Sequence, residues 1–112
     1  MQSSSRKLEN VLGCKWSVPV LLAVSNGVIR PGALEKHING ISKKVLAERL
    51  RKLRAYGLLK KNTFPEVPPR TEYSITPLGQ KLIDVIQQIQ SLNTELEEEI
   101  IKGIEENDLC QS

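Results

Sequence analysis

The sequence predicts a mainly helical fold with one small two-stranded hairpin. Three observations lead there. Several segments repeat apolar residues at helical spacing and are bounded by cap-type residues. One stretch, Leu58 to Thr76, breaks that pattern with strand-type alternation around three prolines. The last third of the chain then returns to a single long helical repeat. With 112 residues, 39% apolar and 26% charged, the chain has the balance of one globular domain that folds without disulfide or metal staples.

The elements follow in order. Arg6 to Leu12 places Leu8, Val11 and Leu12 at helical spacing and stops at Gly13. Lys15 to Ser25 carries Trp16, Val20, Leu21 and Val24 on one face, with Pro19 in its first turn, and ends at Asn26-Gly27. Pro31 to Ile38 is a short helix with Leu34 and Ile38 inward, closed by Asn39-Gly40. Ser42 is an N-cap for a stronger helix from Lys43 to Tyr56, buried along Leu46, Leu50 and Leu53 and stopped by Gly57. Strands at 58–64 and 71–76 enclose Pro65-Glu66-Val67-Pro68-Pro69, a stiff loop that protects the hairpin tip. Thr76-Pro77 opens the last helix with a hydroxyl cap and an N1 proline. In it Leu82, Val85, Ile89, Leu92 and Leu96 step by 3 and 4, a seam of coiled-coil type. The helix either runs unbroken to about Glu106 or breaks near 91–94, where Thr94 and Glu97 could form a capping box. The tail beyond Asn107 reads as loose.

Only Asn39-Gly40-Ile41 joins the third and fourth helices, the spacing of a helix-turn-helix at about 31–56. A hairpin directly after such a pair is the wing of a winged helix, here at about 58–76, with further helices at the N-terminus and at about 77–106. The fold class is therefore a winged helix-turn-helix with added terminal helices.

Charge sharpens the reading. Residues 1–81 hold 15 Lys/Arg and 5 Asp/Glu, whereas residues 82–112 hold one Lys and 8 acids. A basic body with an acidic tail points to a polyanionic partner, unless basic and acidic helices merely lie side by side. Residues 42–61 concentrate eight bases against one acid, Glu48. With Leu46, Leu50 and Leu53 inward, Lys44, Ala47, Glu48, Arg51 and Ala55 fall on the outer face of helix 43–56. Such a helix fits the major groove and reads base edges from its N-terminal half. The candidate DNA-binding residues are Ser42, Lys43, Lys44, Ala47, Arg51, Lys60 and Arg70: Ser42 as a phosphate anchor, Ala47 against a thymine methyl, and Arg70 at the base of the wing. Glu66 at the tip argues against deep wing insertion.

Several motifs resemble the HxlR-type winged-helix regulators. Gly13-Cys14-Lys15-Trp16 with Pro19-Val20-Leu21 resembles the start of those proteins. Gly40-Ile41-Ser42 with Val45-Leu46-Ala47-Glu48-Arg49-Leu50 and Leu53 resembles their recognition segment, and Tyr56-Gly57-Leu58-Leu59 the turn after it. The run from Pro65 to Thr76, continued by Leu78-Gly79, is similar to their wing signature. The match spans about residues 8–90. It implies a DNA-binding transcription regulator of the wider MarR-like group, dimeric through its first and last helices. The implied interface is Leu8, Leu12, Leu82, Val85, Ile89, Leu92 and Leu96. Many members carry a cysteine, redox-sensing in some, about a dozen residues before the Lys-Trp pair. Here residues 3–5 are all serine, so that role does not transfer. Pro31-Gly32 also replaces an aromatic position of the family, so the third helix starts differently.

Cys14, beside Lys15, remains a candidate reactive thiol or simply a small packed residue. Cys110, His37 and Trp16 read as incidental, surface and core residues respectively. Two distant cysteines and one histidine give no zinc-ligand set, so no metal or cofactor is expected. No nucleophile–base pair or phosphate-cradling glycine loop supports an enzyme. No apolar run could span a bilayer and no h-region follows Met1, so a cytoplasmic protein without membrane contact is expected. The expected partners are double-stranded DNA with a palindromic operator and a second copy of the chain. A protein-interaction use of the winged helix, or a regulator responding through Cys14 or a small molecule, stands as the alternative.

Overall fold

The computed structural model describes the backbone of residues 6–111 and the side chains of residues 8–104. The serines at 3–5 and the side chain of Cys110 therefore lie outside the described residues. The element order is α1 (Arg6–Gly13), α2 (Ser17–Ser25), α3 (Pro31–His37), α4 (Lys43–Ala55), β1 (Leu59–Phe64), β2 (Arg70–Ile75) and α5 (Pro77–Gln111). The expected sequence of four helices, a hairpin and a long helix is present.

Local chemistry explains the boundaries. The second helix starts at Ser17 rather than Lys15, because Trp16 takes the N-cap place and leaves Pro19 within the first turn. Pro31 stands at the head of α3. Gly40, at φ +87°, makes the turn into α4 in a conformation that disfavours side chains. The Val45 N–H donates to the Ser42 hydroxyl at 3.1 Å, which caps α4. At the other end Gly57, φ +77°, turns the chain into the hairpin.

The two strands pair antiparallel, with Leu59 opposite Ile75, Lys61 opposite Tyr73 and Phe64 opposite Arg70. The Tyr73 N–H also donates to the Ile29 carbonyl at 2.8 Å, so β2 is tied to the chain just ahead of α3. The core draws on α1 to α4, the hairpin and the first turns of α5: Val20, Leu21, Leu34, Leu53, Leu58 and Ile83 are almost fully buried. The start of α5 is fixed by Thr76. Its hydroxyl donates to the Gly57 carbonyl at 2.6 Å and accepts from the Gly79 N–H at 2.9 Å. Gly79 lies so close to the Leu58 carbonyl that a Cβ there would collide with it.

The last helix corrects or decides two expectations. It is continuous to Gln111 with no break at 91–94. Thr94 does not cap; its hydroxyl donates back to the Gln90 carbonyl at 3.2 Å within the helix. Leu82, expected on the dimer seam, is 5% exposed and belongs to the core of its own chain with Ile83 and Ile86. It sits between the two apolar faces of α5, and the body claims it. At 1.5 Å per residue, 35 residues span about 52 Å. The molecule accordingly measures 70 × 36 × 23 Å.

Candidate nucleic-acid interface

Burial of Leu46, Leu50 and Leu53 fixes the rotation of α4. Lys43, Lys44, Ala47, Glu48, Arg51 and Arg54 are consequently exposed. Between α4, the start of α3 and the hairpin lies a groove of about 480 Å³. Its floor is apolar, from Leu46, Leu50, Tyr73 and Pro31. Its rim carries Lys43, Arg51, Arg54 and Lys61, with Glu35 as the one acid. Among the described residues, none of these four cations makes an ion pair within the chain.

Of the candidates, Lys43, Ala47 and Arg51 meet in this groove. Lys60 lies in an adjoining hollow with Arg51, Arg54 and Lys61. Ser42 and Lys44 are exposed at the head of α4, outside either hollow, and the Ser42 hydroxyl is already engaged by its cap bond. Arg70 stands apart on the wing, in a hollow with Arg30, Glu66 and Val67. There its Nε lies 3.1 Å from Glu66 and 3.3 Å from Glu72, and its guanidinium stacks 4.3 Å from the centre of the Phe64 ring.

Arg54 and Lys61 are the two groove cations missing from the expected site. Both were legible in principle. Lys61 faces α4 because it pairs with Tyr73, whose inward side follows from strand alternation. Arg54 lies one turn beyond Leu50, at the edge of the buried stripe, where a long side chain can reach round.

On the far side, Leu8, Val85, Ile89, Leu92 and Leu96 are exposed, as are Ile100, Ile101 and Ile104. Leu12 is half-buried against the core. A groove of about 380 Å³ between the α1–α2 link and α5 is lined by Leu12, Cys14, Val18, Ile86 and Ile89. Cys14 is a free, half-buried thiol. Partial burial by itself raises its pKa, but contacts from the Ser17 hydroxyl, the Trp16 and Ser17 backbone N–H groups and the Arg49 charge outweigh that and lower it. Trp16 packs on the core and holds Lys15 4.9 Å from its ring centre. No helix among the described residues is long and apolar enough to cross a membrane.

The family model for HxlR-like helix-turn-helix proteins matches residues 11–100, from the end of α1 far into α5. The chain belongs to that family. It is a helix-turn-helix transcriptional regulator of winged-helix build. It is 36% identical over 85 residues to YtfH of Escherichia coli (strain K12), named as an uncharacterized HTH-type transcriptional regulator; the match spans 76% of this chain and 68% of that one. Among solved structures it resembles a MarR-family transcriptional regulator from Porphyromonas gingivalis W83, with a TM-score of 0.72 and 39% identity over 84% of this chain and 92% of that chain. It also resembles the reduced form of the regulator YodB from B. subtilis, with a TM-score of 0.72 and 28% identity over 81% of this chain and 90% of that one. YodB has also been solved after diamide treatment.

Proposed function

We propose that the protein reads an operator as a homodimer, each copy placing α4 in a major groove. The observation that carries this is the cationic groove beside α4. Four cations, none in an ion pair among the described residues, surround a slot at the face of a recognition helix whose inner face is occupied by the core. A helix N-terminus rich in Lys and Arg supplies phosphate contacts and bidentate guanine contacts, and Ala47 leaves room for a base edge. The hairpin follows the backbone beside it. Two-fold symmetry then sets the half-sites about 10 bp, or a multiple, apart. The exposed seam from Val85 to Leu96, with Leu8 and Leu12 beside it, supports pairing through α1 and α5. Such a protein works among cytoplasmic DNA and needs no catalytic group.

The test is binding of the purified full chain to the intergenic DNA upstream of its own gene, against a scrambled duplex of equal length, at two salt concentrations. A preference of about 10³-fold that survives raised salt is expected. Equal affinities that collapse together as salt rises would leave only backbone attraction and defeat the reading.

The lowered Cys14 thiol favours a second reading, in which modification of Cys14 alters operator binding. Iodoacetamide should then weaken operator binding by the wild type and leave Cys14→Ser unaffected. Unchanged binding by the fully alkylated wild type would discard it.

A further inference from the structure

The wing does not present Arg70 as a free cation. Arg70 and Glu72 lie two residues apart on β2, so both project from the face opposite buried Tyr73. One oxygen of Glu72, Oε2, is 3.3 Å from the Arg70 Nε and 3.5 Å from a terminal nitrogen of Arg30. Arg30 is the N-cap residue of α3, the first helix of the helix-turn-helix pair. The Glu72 carboxylate therefore joins the wing to that pair, beside the Tyr73-to-Ile29 backbone bond. It is also the most sheltered of the four charged side chains in the cluster, 21% exposed against 36% for Arg70, 52% for Glu66 and 56% for Arg30. Phe64 closes the other side of the Arg70 guanidinium. The Arg70 Nε is shielded from solvent yet makes no aligned hydrogen bond. Charge and stacking hold it, with Glu66 and Glu72 both approaching at its Nε.

On the DNA-binding reading above, we propose that Glu72 is a positioning residue for recognition: by holding Arg70 and Arg30 together at the root of the wing, it fixes the Arg70 guanidinium in one orientation toward the DNA. Glu66 has a different part. It sits on the exposed tip loop and covers Arg70 only until phosphate takes its place. The two carboxylates thus separate by sign. Any acid near DNA repels it, so removing one strengthens non-specific binding. Removing the clamp also frees Arg70, which costs a specific complex the ordering of a long side chain.

The experiment uses full-length wild type, Glu72→Gln and Glu66→Gln. The probes are a duplex that the wild type enriches from a randomised library and a scrambled duplex of equal length. Glu66→Gln should tighten both by a similar factor. Glu72→Gln should hold or tighten the scrambled duplex but lose about 10-fold on the enriched one, so that the specificity ratio falls. In the DNA-free proteins, the Arg70 Nε–Hε group should be rigid by NMR relaxation in wild type and Glu66→Gln and mobile in Glu72→Gln. If Glu72→Gln tightens both duplexes as Glu66→Gln does, or leaves Arg70 rigid, the proposal is overturned. If the wild type enriches no duplex, the DNA reading itself fails and the proposal falls with it, a result distinct from either of those.

Discussion

The first 76 residues and the long helix after them use leucine and isoleucine in opposite ways. In α4, Leu46, Leu50 and Leu53 turn inward and leave the outer face to cations. In α5 beyond Ile86, every large apolar side chain from Ile89 to Ile104 is exposed, and the charges around them are mostly acidic. The body can bury its own stripe because three helices and a hairpin surround it. Among the described residues, the far part of α5 has no neighbour that buries it. Its geometry adds detail: Ile100 lies eighteen residues, about five turns, beyond Leu82, on the same side of the helix. The face that holds the body at Leu82, Ile83 and Ile86 thus continues past it as Ile100, Ile101 and Ile104. Apolar surface of this extent is stable in water when a second copy covers it. On the proposed function, DNA contact falls to one region and pairing to the other.

The largest expected effect breaks the pairing region. Leu92→Glu with Leu96→Glu removes four leucines from a two-fold interface and adds repelling charge. At about 1.5 kcal/mol per leucine, dimer dissociation should strengthen by at least ~10³-fold in sedimentation equilibrium. Circular dichroism should report an intact body. Next, Gly79→Ala drives a Cβ into the Leu58 carbonyl and should cost about 2 kcal/mol in urea unfolding. An unchanged midpoint would mean that α5 does not meet the turn after α4 this closely. Arg51→Ala should lose about 1–3 kcal/mol of operator affinity without changing dimerisation or stability. Arg54→Ala and Lys61→Ala, from the same groove, should mainly lower the salt slope of binding. The smallest of the structural effects is Ser42→Ala, about 1 kcal/mol through loss of the α4 cap. Finally, the Cys14 thiol should be alkylated at a lower pH than an unstructured cysteine, since the thiolate is the reactive form and its pKa is lowered.

What could be read from the chain beforehand follows the same division. Caps and stops are local chemistry, so Ser42, Gly57 and the Thr76-Pro77 start were legible in the residues themselves. The stripe of α4 was legible because a single repeat had one destination. Leu82 was misplaced because a 3-4 repeat specifies a face and not which body covers it; at the start of α5 two apolar faces adjoin, and the chain's own core takes the first residue of the seam. The groove cations Arg54 and Lys61 each had a local signal, but their meeting in one groove depends on how strand and helix come together, a relation between distant segments. The Arg30–Glu72–Arg70 cluster joins residues from two elements, and no local pattern announces it. Continuity of α5 through 91–94 was open because Thr94 is compatible with either a cap or a helix interior, and here its hydroxyl bonds back within the helix.

The most direct test of this division is the Leu92→Glu/Leu96→Glu variant on duplexes with one and with two half-sites. If the body reads DNA and α5 only pairs bodies, the variant should match wild type on one half-site within about 3-fold. On two half-sites it should lose about 10²-fold or more, because the second contact is no longer intramolecular. Equal losses on both duplexes from a folded variant would contradict the account and place α5 in the reading itself.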